Sequence, residues 1–220
     1  MKIQKEWGFN IYGDINIHKP QVCKVENEGG VVFLLPHGVE LFMNYPERLE
    51  YGLLNLFSNE NVVEYEKHLK MTSNNDVLRY IKDCSSKQIK SQQYNYYIMS
   101  EKHNILLGLI VNISHLGIKN SSPALYDLIN EKFLQFDIEK SWLMDFYAIP
   151  DFWGTNLMSN FITHMIDIHR EQGYSYFFAV VKGDNDRKID FLNARGFIRL
   201  NHVDFFDQDG KILIVLDLSE

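Results

Sequence analysis

Residues 141–199 read SWLMDFYAIPDFWGTNLMSNFITHMIDIHREQGYSYFFAVVKGDNDRKIDFLNARGFIR. Ser141 to Ile149 is predicted as a strand that ends at Pro150, and Gly154 supplies the bend after it. Leu157, Phe161, Met165 and Ile168 then recur at helical spacing, flanked by Ile162 and Ile166, so a long helix is predicted up to Gln172, with Gly173 as its breaker. Tyr176 to Val181 is a compact apolar strand, Lys182 to Asp184 a polar turn, and a further helix starts near Asn185. A helix that opens straight after a strand presents unpaired backbone N–H groups and the positive end of its dipole. The amides of Gly154, Thr155, Asn156, Leu157, Met158 and Ser159 are therefore a candidate anion site, suited to a pyrophosphate.

Upstream of this stretch, Tyr94 to Ser100 and Ile105 to Ser114 are rich in aromatic and β-branched residues and read as an antiparallel hairpin turning at Glu101 to Asn104. An inserted helix, Pro123 to Phe136, separates the hairpin from Ser141, with Ser122 as its cap and Leu125, Leu128, Ile129 and Phe133 on one face. Helices are also predicted over Tyr45 to Phe57, Val62 to Met71 and Asp76 to Lys87. In the first thirty residues, Phe9, Ile11, Ile15 and Ile17 alternate around Gly13 and Asp14, and Asn27 to Gly30 turns into Val31 to Leu35. These form an N-terminal β arm (1–30) packed on a main domain (31–220).

Composition narrows the function. Net charge is −7, with 22 basic against 29 acidic residues and no basic run, so nucleic acid is not an expected partner, whereas a cationic acceptor suits the balance. No window reaches the roughly 18 to 20 apolar residues of a membrane span, and a soluble, cytoplasmic protein is expected. Cys23 and Cys84 lack metal or disulfide spacing, and His164 and His169 are five apart, which does not stack two imidazoles on one helix face; no metal site is expected.

From Ala148 to Phe197 the chain resembles the GCN5-related N-acyltransferase (GNAT) family. That family carries Q/R-x-x-G-x-G/A after V-x-P, and Ala148, Ile149, Pro150 and then Trp153 to Met158 occupy this frame, with Trp153, Asn156 and Met158 replacing the usual residues. Its second pattern, N-x-x-A-x-x-F-Y followed by G-F, is met by Asn185, Phe191, Gly196 and Phe197, with Lys188 in place of Ala and Leu192 in place of Tyr. The resemblance implies an α/β (α+β) fold: a mixed, mostly antiparallel sheet of six to seven strands flanked by helices. It also implies acetyl-CoA or another acyl-CoA as co-substrate, its pantetheine held in a V between parting strands by Phe146, Ala148 and Ile149. Trp153 to Ser159 and Asn185 would complete the donor site.

Leu192 cannot return a proton to a departing thiolate as a tyrosine there would, and Val180 stands where some relatives place a glutamate. Asp145 and Tyr147 are the candidate catalytic substitutes, because alternate strand residues share a face: Asp145 would take a proton from the amine and Tyr147 would orient it. A backbone N–H near Ala148 or Ile149 would polarise the thioester carbonyl. Phe152, Trp153, Phe205 and Phe206 are candidates for an acyl pocket, while Tyr174 and Tyr176 read as packing residues. The leading reading is direct acyl transfer to a small-molecule or peptide amine. Two alternatives stand beside it: a GNAT-fold binding or regulatory module without catalysis, and a transferase whose donor is acyl carrier protein, docking on a basic patch at Lys182, Arg187 and Lys188. Oligomeric state is open, the N-terminal arm and the inserted helix being equally suited to an acceptor pocket or a homodimer contact.

Overall fold

The computed structural model describes residues 10–12, 23–27, 30–35, 46–64, 67–90, 92–100, 105–132, 136–150, 153, 156–200 and 210–219. Among these residues nine strands form one sheet: β1 Asn10–Tyr12, β2 Cys23–Asn27, β3 Gly30–Leu35, β4 Gln93–Ser100, β5 Ile105–Ser114, β6 Ser141–Ala148, β7 Tyr176–Lys182, β8 Ile198–Arg199 and β9 Lys211–Asp217. Their spatial order is β1-β2-β3-β4-β5-β6-β7-β9-β8. Every neighbouring pair is antiparallel except β6 and β7. The mixed, mostly antiparallel α/β class read from the sequence is met. Among the described residues β3 to β9 number seven, and β1 and β2 extend the same sheet at its edge. Phe9, Ile15 and Ile17 lie outside the described residues.

Helix α1, Pro46–Ser58, starts at its proline and buries Leu53, Leu56 and Phe57. The helix expected over Val62 to Met71 is replaced by a four-residue α2, Glu60–Val63, and a 3₁₀ turn, Lys67–Leu69. The Met71 N–H bonds the Phe57 carbonyl at 3.1 Å. An unbroken helix would carry Met71 about 13 Å along its axis away from that partner, so the chain reverses instead. Helix α3, Asn74–Ile89, opens on a capping box between Ser73 and Asp76. Among the described residues the insertion carries two α-helices. The unforeseen α4, His115–Ser121, is capped by Ser114, and α5, Pro123–Lys132, stops short of Phe136 but buries Leu125, Leu128 and Ile129 as expected; Phe133 lies outside the described residues.

Strand alternation sorts the helices onto two faces. Asp145 and Tyr147 share a face with Leu143 and with its partner Phe178. On that face Phe57 of α1 meets Tyr147 edge-on at 5.3 Å and α4 and α5 pack on Phe178, Leu213 and Val215. The opposite face carries Phe177, which meets His169 of α6 (Asn156–Glu171) at 4.3 Å. Phe161 and Phe177 are almost wholly removed from solvent. At about 1.5–3 kcal/mol for each such side chain, they hold α6 flat on the sheet with its first turn left at the sheet's end. Gly173, at φ 77°, closes that helix as the sequence predicts. Helix α7 is Asp186–Asn193.

Candidate functional site

The parallel pair β6–β7 is in register only over Ser141↔Tyr176, Trp142↔Phe177 and Leu143↔Phe178. Beyond it, β6 stays paired with β5 as far as Ala148, and β7 stays paired with β9 as far as Lys182. The two strands therefore part from Met144 and Ala179 onward, and a gap opens towards their C-terminal ends. The Ile149 N–H donates to the Leu107 carbonyl at 3.1 Å. With the two-residue repeat of an antiparallel ladder, the amides of Tyr147 and Asp145 also face β5, while those of Phe146 and Ala148 face the gap. Ile149, expected as a candidate to polarise a carbonyl, is thus committed to the ladder. Ala148 has the required direction.

Two side chains of this chain already sit on the gap edge of β6. Asp145 accepts the Phe146 N–H at 2.8 Å. The indole N–H of Trp153 donates to the Ala148 carbonyl at 2.9 Å, and the Arg187 guanidinium lies 4.3 Å from the Trp153 ring centroid. Trp153 consequently spans the distance from the end of β6 to the first turn of α7.

Asp145 and Tyr147 come together as the alternation predicts: the Tyr147 hydroxyl donates to Oδ2 of Asp145. What sequence reasoning missed is Lys188, whose ammonium donates to Oδ1 of the same carboxylate and whose side chain is only 13% exposed. The Lys188 Nζ lies 4.9 Å from the Phe146 ring centroid and 5.4 Å from that of Tyr147. Phe146 and Tyr147 are adjacent on a strand and project to opposite faces, so a cation close to both rings lies at the level of the sheet, within the gap. The signal that could have found it was its place three residues after the helix-capping Asn185, which aims it back along the helix towards β6. Lys188 is therefore not part of the exposed basic patch expected with Lys182 and Arg187. Arg187 stays exposed, with its guanidinium over the Trp153 ring.

Of the other predicted residues, Asn185 caps α7, its side-chain oxygen accepting the Lys188 N–H at 3.1 Å. Met158 is buried and its sulfur would lie 3.1 Å from a Cβ at Gly108. The side chain thus turns into the core. Asn156, Leu157 and Ser159 form the first turn of α6. Gly154, Thr155, Phe152, Phe205 and Phe206 lie outside the described residues. Leu192 is fully buried and Val180 partly so, and neither offers a proton. Tyr174 packs on Trp142 at 5.5 Å and Tyr176 on Phe136 at 4.6 Å, as packing residues should. Among the described residues no helix is long and apolar enough to cross a membrane.

A sheet whose parallel strands part, with a long helix rising from the end of the first, defines the N-acyltransferase class of α/β enzyme. The chain belongs to the acetyltransferase (GNAT) family, whose model matches residues 86–197. No curated protein matches it in sequence. Solved structures share the fold. An acetyltransferase (GNAT family) from Bacillus anthracis has a TM-score of 0.57 at 10% identity, covering 92% of this chain and 98% of its own. AAC(6')-Ib, in complex with parmomycin and acetyl-CoA, has 0.59 at 17%, covering 84% and 93%. RimL, a ribosomal L7/L12 alpha-N-protein acetyltransferase in complex with coenzyme A, has 0.57 at 11%, covering 84% and 93%.

Proposed function

We propose that this acetyltransferase moves an acetyl or longer acyl group from acyl-CoA directly to a primary amine, with the thioester lying in the gap between β6 and β7. The observation that carries the reading is the end of the β6–β7 register at Leu143, which leaves the Phe146 carbonyl and the Ala148 N–H directed at a space an extended amide-bearing arm fits. The Ala148 N–H polarises the thioester carbonyl, and the first-turn amides of α6, Asn156 to Ser159, take the pyrophosphate. Asp145 receives the proton of the attacking amine and Tyr147 holds that carboxylate in place.

Free acyl-CoA is the donor favoured over acyl carrier protein, because Lys188 is committed to Asp145 and so is not offered to an acidic carrier surface. The acceptor is a small-molecule or peptide amine, the two kinds named for AAC(6')-Ib and RimL. A net charge of −7 favours the approach of a cationic one. Residues 31–220 work as the catalytic domain, with the N-terminal β arm extending its sheet. Isothermal titration with acetyl-CoA and octanoyl-CoA tests the reading. At least one thioester binds with a 1:1 stoichiometry, and release of coenzyme A follows on adding a primary amine; no heat with either thioester would refute it.

A further inference from the structure

The carboxylate proposed as base is in contact with a cation that the transfer reaction also needs. We infer that Asp145 and Lys188 form a two-ended proton relay, in which Asp145 takes the proton of the nucleophile and Lys188 gives one to the departing thiolate. The inference rests on the acyl-transfer reading above and adds the missing acid to it.

The geometry supplies each part. Oδ1 of Asp145 accepts both the Lys188 ammonium and the Phe146 N–H, and Oδ2 accepts the Tyr147 hydroxyl, so the carboxylate is fixed on three sides. The ammonium has three N–H donors and spends one on Asp145. It lies in the gap itself, close to both the Phe146 and Tyr147 rings, which is where a thioester following β6 passes. Leu192, one turn further along the same helix face, is fully buried and has no proton to offer.

The chemistry closes without an external acid or base. A neutral amine forms the C–N bond at the thioester carbonyl, and the π pair moves to the oxygen facing the Ala148 N–H. The extra N–H proton passes to Asp145. As the pair on oxygen returns, the C–S bond breaks with its electrons on sulfur, and the thiolate takes a proton from Lys188. Neutral Lys188 then receives the proton held by Asp145, and the ion pair is restored. Amide and thiol leave, and the protein has neither gained nor lost a proton.

Lys188→Arg isolates this role, because arginine keeps the cation beside Asp145 but does not give up its proton in a protein. Coenzyme A release from acetyl-CoA is followed with water as nucleophile at high enzyme concentration, so that no particular amine is needed. The variant melts at the wild-type temperature and binds acetyl-CoA within about threefold of wild type, while its turnover falls by about 100-fold or more, the range of a lost general acid. With p-nitrophenyl acetate, whose leaving group departs as a stable anion, its rate stays within about threefold. Lys188→Met shows the same split between leaving groups. Wild-type turnover in Lys188→Arg, or equal losses with both esters, overturns the relay alone. Failure of the wild-type protein to bind acetyl-CoA overturns the transferase reading on which it rests.

Discussion

Trp153→Phe separates a side chain that occupies the donor site from one that recognises the donor. The indole N–H holds the Ala148 carbonyl at 2.9 Å, on the edge of β6 that a pantetheine amide would use. A donor pairing with that carbonyl must first displace the indole. The net value of such a bond is about 0.5–1.5 kcal/mol. Phenylalanine keeps a ring beneath Arg187, now 4.3 Å from the Trp153 centroid, but cannot make the bond. Unfolding free energy of the free protein, measured in urea, therefore falls by about 0.5–1.5 kcal/mol. Affinity for acetyl-CoA rises by the same free energy, which is about twofold to tenfold in Kd by titration calorimetry. The two changes have one origin and opposite signs. Unchanged or weaker binding, together with the expected loss of stability, would refute the reasoning and make Trp153 a contact of the donor.

Gly108→Ala tests the seat of β6: the new Cβ would lie 2.7 Å from the Tyr147 carbonyl oxygen and 3.1 Å from the Met158 sulfur, so the site strand must shift. The urea midpoint drops with an unchanged slope, by a stability loss of about 1–3 kcal/mol, and truncating Met158 as well does not restore it because the carbonyl is the harder contact. A change below about 0.5 kcal/mol would show that β6 is not held there. Cys84 offers a pH test. It is buried beside Asn95, whose amide lies 3.2 Å from its sulfur, and burial pushes the thiol from 9.0 up to about 11. A raised pKa means that the folded state binds the proton more tightly, so this contribution is whole below pH 9 and is lost as pH rises to about 11. Between pH 9 and 10 the unfolding free energy of Cys84→Ala falls less steeply than that of wild type, by up to about 1.4 kcal/mol per pH unit; equal slopes would refute it.

How much of this was legible follows from the range over which each signal acts. Helix α6 and its flanking strands are written in spacing and in two local breaks, Pro150 and Gly173, and all were readable. Asn185, expected to hold the donor, also caps α7 through a bond from the amide three residues on. The turn between α1 and α3 was misread because Val62 to Met71 has helical spacing, whereas the 3.1 Å bond from Met71 back to Phe57 is a tertiary preference that overrides it. Helix α4 escaped notice because His115–Ser121 is short and its glycine suggests a turn. The seat of Met158 leaves no local trace, because the room for it is made by Gly108, fifty residues earlier.

Lys188 shows where local reading ends and why the site is more complete than its letters suggest. Position by position, a lysine replaces a small residue and a leucine replaces a proton donor, so both substitutions count as losses. In the fold they share a helix face with Lys188 one turn nearer to β6, and its ammonium meets a carboxylate 43 residues away. An ion pair of that kind leaves no periodic trace, because each partner has an ordinary local explanation: a capped helix for one, a strand for the other. The gap brings them together only because β6 and β7 stop pairing at Leu143, which lets a side chain from the helix after β7 cross to β6 at the level of the sheet. The same parting of strands that the proposed thioester would enter thus also admits the residue inferred to protonate its sulfur.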